Sequence, residues 1–162
     1  EIEVPVIAAI KGVAFGGGIQ LALAADFRIA APDSKFSIME SKWGIIPDLG
    51  ITQNLPKLTR ADIAKELIMT GRIFDGKEAF NLGLVTMIDK DPLASAENFA
   101  NKLVKRSPDV LKGAKKLIED SWVAPLGEGL TMESDIQSRI MGYENNIEAV
   151  MATVQKRPAK FK

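Results

Sequence analysis

The stretch IAAIKGVAFGGGIQLALAADFRIAAPDSKFSIMESKWGIIPDLG, residues 7–50, contains the pattern that decides the fold. Residues 5–10 are short, apolar and rich in β-branched side chains, which predicts a buried strand. A glycine triplet leads into residues 19–26, where Leu, Ala and Gln favour a helix that is apolar nearly all round, and so central and buried. Residues 27–31 and 35–38 predict two further strands. This alternation of strand and helix predicts an α/β fold.

Beyond this stretch, the chain changes character near Asp91. A loop and short helical segments come first, with Asp75 as the expected cap of the helix that begins at Gly76. The remainder predicts four helices joined by short polar turns, at residues 92–106, 108–121, 126–141 and 145–156. We therefore predict two regions: strands and helices in residues 1–90, and helices alone in residues 91–162.

Composition excludes several classes of protein. Basic and acidic residues balance at 21 each, so the chain lacks the basic excess that is typical of nucleic-acid binders and of proteins held on acidic membranes. It has no cysteine and no histidine, which excludes disulfides, zinc–thiolate sites and Ser-His-Asp catalysis. No metal site is expected, and acid–base chemistry must use Asp, Glu, Lys or Tyr143.

The beginning of the chain gives two further expectations. No apolar run approaches the ~20 residues of a membrane span, so we expect a cytoplasmic protein without a membrane partner. The sequence starts without Met, directly on an apolar run, and resembles neither a signal nor a transit peptide. We therefore expect that an amino-terminal portion is absent.

The three consecutive glycines at residues 16–18 are the most informative local feature. Without a Cβ, glycine lets the backbone take positive φ and lets a ligand approach closely. The N–H groups that open a helix have no acceptor inside it, so they can donate to an anion or a developing oxyanion. The alternative is tight packing of a helix against a strand, and the glycines alone do not separate the two.

Three polar residues follow the glycines at positions that can converge. Gln20 lies one turn into the predicted helix, Glu40 ends a predicted short strand, and Asp48 lies in the Gly/Pro-containing loop. Two carboxylates on opposite sides of a substrate can move a proton between carbons without metal or histidine. The alternatives are a strand-end cap for Glu40 and an ordinary turn residue for Asp48.

The same residues resemble a known family. Residues 7–58, with GGGIQLALAADFRIA at their centre, resemble the core signature of the crotonases, the enoyl-CoA hydratase/isomerase superfamily. ELIMTGRIFDGKEAFNLGLV at residues 66–85 resembles the next segment of that family, and QKRPAKF at residues 155–161 its usual ending. The resemblance covers essentially the whole chain.

This resemblance implies a crotonase-like spiral of ββα turns, truncated at the amino end and followed by a helical trimerisation region. It implies homotrimers, often paired into hexamers, that act on acyl-CoA thioesters with no cofactor beyond the coenzyme A of the substrate. Gly17, the middle glycine, would supply one of two N–H groups that hold the thioester oxygen, with Gly16 beside it. The second donor would come from an amino-terminal segment that this chain lacks.

The resemblance also implies roles for side chains outside the glycine turn. Met39, Trp43 and Leu49 flank the acidic residues and would line an acyl pocket, although each is equally a candidate core residue. Lys156 corresponds to a family lysine near the carboxyl end that can reach the phosphate of coenzyme A. Its alternative is a solvated helix end.

Two positions depart from the usual hydratase pattern. Typical hydratases have glutamate where this chain has Gln20, and an amide cannot accept a proton at neutral pH. They have glycine where this chain has Asp48. The subgroup that resembles Δ3,5-Δ2,4-dienoyl-CoA isomerase has Glu and Asp at the positions of Glu40 and Asp48. It also has Asp where this chain has Gln20, so the match to that subgroup is two residues of three.

The leading prediction from this pattern is therefore an enoyl- or dienoyl-CoA isomerase. Glu40 and Asp48 would move the proton, and Gln20 would orient Glu40 or the substrate. One alternative is a hydratase in which Glu40 alone activates water. The other is a non-catalytic fragment or assembly module.

Overall fold

The computed structural model describes residues 2–162 and divides them into two compact units. The first unit is residues 6–98, and the second combines residues 2–5 with residues 99–162. The predicted boundary at residue 90 follows the change in sequence character. The boundary between the two compact units follows residue 98, eight residues later, and lies inside the helix Pro92–Leu103.

The first unit contains two small sheets. Its strands are β1 (Ile7–Ile10), β2 (Val13–Phe15), β3 (Phe27–Ala30), β4 (Lys35–Ser37), β5 (Phe74–Asp75) and β6 (Met87–Ile88). One sheet has the order β1-β3-β6 and is parallel throughout, with Ile7 opposite Phe27. The other has the order β2-β4-β5, in which β2 and β4 are parallel and β5 is antiparallel. The first four strands thus alternate between the two sheets, after which β5 adds to the second sheet and β6 returns to the first.

Helices connect and follow these strands. The first unit has α1 (Gly17–Leu23), α2 (Ile51–Leu58), α3 (Ala61–Thr70), α4 (Gly76–Asn81) and a 3₁₀ helix at Glu40–Trp43. The chain continues through α5 (Pro92–Leu103) into α6 (Pro108–Ser121), α7 (Leu126–Ile140) and α8 (Glu144–Val154). Among residues 2–162, no helix is long and apolar enough to span a bilayer.

A single apolar core lies between the two sheets and their helices. Its fully buried side chains include Ile19, Ile38, Ile51, Leu55 and Leu67. Each such side chain stabilises the fold by about 1.5–3 kcal/mol relative to an exposed one. The core therefore holds α1 and β4, the two elements that lead to Gln20 and Glu40, in a fixed relation.

One charged side chain is buried beside this core. Arg28 on β3 donates from Nε to the Leu84 carbonyl at 2.8 Å and from Nη1 to the Ala25 carbonyl. Burial lowers the pKa of Arg28, and the charge of Asp26 opposes this effect. The guanidinium satisfies the backbone acceptors Ala25, just after α1, and Leu84, before β6, so it ties both segments to β3.

The predicted elements are largely present, and four elements differ from the prediction. The strands β2 and β5 were not predicted, because two or three residues are too few to show a period. Residues 84–88 predict a last short strand, of which the structure keeps only β6 at Met87–Ile88. The prediction that α1 is buried all round is wrong: Leu21 is 69% exposed, and the helix buries only the face of Ile19, Gln20 and Leu23.

The prediction that Asp75 caps a helix is confirmed. Its Oδ1 accepts a hydrogen bond from the Glu78 N–H at 2.9 Å, at the start of α4. The prediction that Glu40 ends a strand needs correction. The strand β4 stops at Ser37, and Glu40 instead begins the 3₁₀ helix.

In the helical unit, α6 and α7 approach closely at Gly113. A Cβ there would lie 3.0 Å from Ile136 Cγ2 and 3.1 Å from Ile140 Cδ1. The carboxyl-terminal segment is held onto α8 by side chains of that helix. Asn145 donates to the Lys162 carbonyl and accepts from the Lys162 N–H, at 3.3 and 2.9 Å.

We expect Gly76→Ala to destabilise the protein strongly. A Cβ at Gly76 would lie 2.1 Å from the Ala31 carbonyl oxygen, a backbone atom that cannot rotate away. Relief requires α4 to shift from β3, at a cost of about 3 kcal/mol, the upper end of overpacking losses. Urea unfolding measures this change, with Gly18→Ala as control because a Cβ there meets nothing within 4 Å. Equal stability of the two variants would contradict the packing described.

Candidate functional site

The glycine turn joins β2 to α1. Gly16 has a φ of 51°, which favours glycine, and its N–H donates to the Ser37 carbonyl on β4 at 2.9 Å. A Cβ at Gly16 would lie 3.4 Å from Glu40 Oε1, so this turn passes directly beside that carboxylate. Gly17 is the first residue of α1, and its N–H has no acceptor within the helix.

Glu40 is positioned by the 3₁₀ helix that it begins and by the end of α3. The last turn of α3 stops at Gly71, which has a φ of 56°. A Cβ at Gly71 would lie 2.9 Å from Ser41 Oγ and 3.3 Å from Met39 Cα. The Gly71 carbonyl also accepts a hydrogen bond from the Ser37 hydroxyl at 2.8 Å. This close approach braces the backbone on both sides of Glu40.

Gln20 links Glu40 to the following loop through two hydrogen bonds. Its Nε2 donates to Glu40 Oε1 at 2.6 Å, and its Oε1 accepts from the Leu49 N–H at 2.8 Å. A backbone N–H can only donate, so the atom that faces Leu49 must be the amide oxygen and the nitrogen must face Glu40. Gln20 is 1% exposed, and a hydrogen bond to a charged acceptor stabilises by about 1.5–3 kcal/mol.

The two oxygens of the Glu40 carboxylate therefore differ. Oε1 is taken by Gln20, whereas Oε2 is buried and has no hydrogen-bond partner. Glu40 as a whole is only 7% exposed. An unpaired oxygen on a buried carboxylate is costly, and such groups often mark a place where a ligand or a proton is received. This arrangement can perform proton transfer through one defined oxygen.

Asp48 does not share this environment. It lies in the loop before α2, is exposed, and precedes the Leu49 whose N–H bonds to Gln20. The structure thus brings Gln20, Glu40 and the glycine turn together by direct contacts, and it places Asp48 on the adjoining loop. The catalytic roles of these residues stay predictions.

The predicted acyl-pocket residues lie on the same loop or next to Glu40. Leu49 Cδ1 would lie 3.2 Å from a Cβ at Gly17, so the Leu49 side chain lies against the start of α1. Met39 is half-buried, and its Cγ would lie 3.9 Å from a Cβ at Gly16. Trp43 is 73% exposed, and Leu49 is exposed as well. The alternative that Trp43 and Leu49 are core residues is therefore wrong.

Lys156 lies in the helical unit, in the turn that ends α8. Its side chain is exposed, and its φ of 51° places it in the left-handed region. The next residue, Arg157, donates from Nη2 to Glu148 Oε2 at 2.7 Å, and Glu148 also accepts from the Lys160 N–H. These bonds, led by that of Arg157, lower the pKa of the Glu148 carboxyl to about 2. The Lys156 backbone is held by its own N–H, which donates to the Thr153 carbonyl at 3.2 Å.

The part of the chain that the structure describes contains no group of three or more acidic, histidine or cysteine side chains that could hold a metal ion. The features that sequence reasoning missed are backbone groups. The Leu49 N–H and the Gly71 turn carry no side-chain signal. A glycine just after a helix is typical of a helix end, but no sequence pattern indicates that the end at Gly71 braces Glu40.

We expect Gln20→Leu to leave both Glu40 Oε1 and the Leu49 N–H without a partner. The loss of unfolding free energy should be about 2 kcal/mol or more, because each buried unpaired group costs about 1–3 kcal/mol. Urea unfolding measures this loss, and amide exchange at Leu49 should become faster. The control is Gln53→Leu, since Gln53 is exposed on α2. Unchanged exchange at Leu49 would show that Gln20 does not hold the loop.

Comparison with known proteins identifies relatives over the full chain. Methylglutaconyl-CoA hydratase from human mitochondria is 35% identical, with all of this chain covering 50% of that protein. Carnitinyl-CoA dehydratase of Citrobacter koseri is 36% identical, with all of this chain covering 64% of it. The chain thus spans about half to two thirds of the length of these relatives.

Solved structures show the same relationship. The enoyl-CoA hydratase of Bacillus anthracis superposes with a TM-score of 0.96 at 36% identity, over 100% of this chain and 64% of the other. The crotonase fold predicted from the sequence is therefore confirmed. The family model for enoyl-CoA hydratase/isomerase matches residues 1–162, and the chain belongs to this family.

Proposed function

We propose that this chain carries the proton-transfer side of an acyl-CoA site that adds water to, or removes it from, a 2-enoyl-CoA. One observation carries the proposal: Glu40 is buried beside the glycine turn, its Oε1 is hydrogen-bonded to Gln20, and its Oε2 has no hydrogen-bond partner. A single carboxylate oxygen aimed at a substrate is what general acid–base catalysis requires.

In the hydration direction, Glu40 Oε2 accepts a proton from water while the water oxygen forms its bond to Cβ of the acyl group. The electron pair of the double bond moves onto the thioester oxygen as an enolate. The Gly17 N–H donates to that oxygen, and such a donor contributes about 3–4 kcal/mol to lowering the barrier. Protonation of Cα by Glu40 then completes the addition, and the reverse sequence removes water.

The names of the relatives support hydration over isomerisation. The human relative is named as a hydratase and the Citrobacter koseri relative as a dehydratase. The preference for an isomerase, based on Glu40 and Asp48, has no support in these names. The sequence departure at Gln20 is compatible with hydration if Glu40 alone handles the proton, with Gln20 as the group that orients it.

Double-bond isomerisation is the second candidate, because Asp48 lies on the loop that Gln20 ties to Glu40. In this reaction one carboxylate removes a proton from the acyl chain and the other returns a proton at a different carbon. It requires the exposed Asp48 carboxylate to face the substrate across from Glu40.

We expect Glu40→Gln to lower turnover by at least ~100-fold, the usual scale for loss of a general acid–base group. Absorbance of crotonyl-CoA in the ultraviolet measures hydration directly. The matched control is Glu97→Gln, because Glu97 is exposed on α5. Near-normal turnover by the Glu40 variant would remove this residue from the mechanism.

Asp48→Asn separates the two candidate reactions. With a hydratase, we expect this variant to keep most of its activity on crotonyl-CoA, and the parent protein to leave 3,5-dienoyl-CoA unchanged. Growth of the conjugated 2,4-dienoyl absorption, abolished by Asp48→Asn, would favour the isomerase instead. No turnover of either substrate would favour the non-catalytic assembly module.

Two further expectations belong to the same proposal. Lys156 would contact a phosphate of coenzyme A, for which its exposure and fixed backbone are suitable. The cytoplasmic location stays a prediction, since the human relative is named as mitochondrial.

Self-assembly into trimers or hexamers is also a proposal, and the helical unit supports it. Neither α6 nor α7 has a buried residue, and apolar side chains such as Trp122, Leu126 and Leu130 are exposed there. Exposed apolar surface of this extent is typical of protein contact sites.

We expect sedimentation equilibrium to give three or six times the chain mass. A monomer at micromolar concentration would contradict the proposed assembly.

A further inference from the structure

A cavity lies wholly within the helical unit, and its residues are far from the glycine turn in sequence. It has a volume of about 670 Å³ and is bounded by the start of α6, one face of α8 and the carboxyl-terminal segment. Most of its wall is apolar, with Val110, Leu111, Ala152 and Phe161 among the lining residues. The volume is within the range of about 300–1,000 Å³ that is usual for small-molecule sites.

The polar feature of this wall is Ser107, at the N-cap of α6. Ser107 is 5% exposed, lines the cavity, and its hydroxyl oxygen has no hydrogen-bond partner. A serine at an N-cap normally accepts a bond from an N–H of the first helical turn, but this side chain makes no such bond. A buried hydroxyl is therefore left to donate to, or accept from, an occupant of the cavity.

The amino end of α6 adds donors at the same place. This helix has 14 residues, and its first-turn N–H groups have no acceptor within the helix. Pro108 at the first position lacks an N–H, and Val110 is the first-turn donor whose residue lines the cavity. The Asp109 carboxylate is engaged elsewhere, since its Oδ2 accepts from Asn145 Nδ2 at 2.9 Å.

The charges around the cavity favour an anion. Lys105, Arg106 and Arg157 line it, and no acidic residue among those described does so. Arg157 is already paired with Glu148. The net positive charge therefore comes from Lys105 and Arg106, both exposed immediately before the N-cap.

We propose that this cavity is a binding site for an amphipathic carboxylate, such as a medium-chain fatty acid. The carboxylate would accept hydrogen bonds from the Ser107 hydroxyl and from the N–H groups that open α6. It would lie close to Lys105 and Arg106. The hydrocarbon chain would lie against Val110, Leu111 and Phe161. This ligand and this location are independent of the acyl-CoA chemistry proposed at Glu40.

Titration calorimetry of the chain with octanoate tests the proposal. We expect saturable binding of one octanoate per chain, with octanol and inorganic phosphate each binding at least about 10-fold more weakly. Octanol lacks the charge, whose hydrogen bonds account for a difference of this size, and phosphate lacks the apolar body. Absence of saturable octanoate binding would overturn the proposal, as would equal binding of octanol or of phosphate.

Variants then place the ligand in the cavity. Ser107→Ala should weaken octanoate binding about 10-fold and leave the thermal midpoint almost unchanged, because this side chain makes no capping bond. The matched control is Ser134→Ala on α7, an exposed serine that does not line the cavity. The double variant Lys105→Gln/Arg106→Gln changes only exposed side chains, so it tests the charge without risk to folding. Unchanged binding in both the Ser107 and the double variant would place octanoate elsewhere and refute the site.

Discussion

The Gln20 side-chain amide is the interaction on which the candidate site depends. It lies between Glu40 Oε1 and the Leu49 N–H, with bonds of 2.6 and 2.8 Å. Because the amide has one donor end and one acceptor end here, its orientation is fixed by the backbone of Leu49. Glu40 consequently presents one oxygen to the amide, and its other oxygen has no hydrogen-bond partner. A second glutamate at position 20 could not make the same pair of contacts while ionised, because it would place two carboxylate oxygens together.

The spiral of strands explains how residues so far apart in sequence reach this arrangement. Parallel pairing of β2 with β4 sets Phe15 opposite Ser37, so the chain leaves both strands at the same edge of the sheet. The turn at Gly16 and the turn at Glu40 therefore lie side by side. The end of α3 at Gly71 then packs beneath the second turn, where only glycine fits. Stability and site geometry thus come from the same short strands.

Much of this organisation was predictable from the sequence, through signals that are local. The cap at Asp75 and the start of α6 at Pro108 follow from side-chain chemistry at helix ends, and both are present. The grouping of Gln20 with Glu40 is only a possibility from the sequence, because it depends on which strands are neighbours, and β2, which pairs with β4, is not predicted. What could not be predicted depends on long-range backbone contacts. The Leu49 N–H as partner of Gln20, and Gly71 as brace of Glu40, join segments 29 or more residues apart. The short strands β2 and β5 exist because their neighbours pair with them.

The most direct test of the account is a crystal structure of the protein with a saturated acyl-CoA, which keeps the thioester but has no double bond to hydrate. We predict the thioester oxygen at about 3 Å from the Gly17 nitrogen, the geometry of an oxyanion donor. Glu40 Oε2 should face Cα and Cβ of the acyl chain, with Gln20 Nε2 still bonded to Oε1. An acyl group bound away from the glycine turn, or one facing Oε1 with Gln20 turned aside, would contradict the central claim.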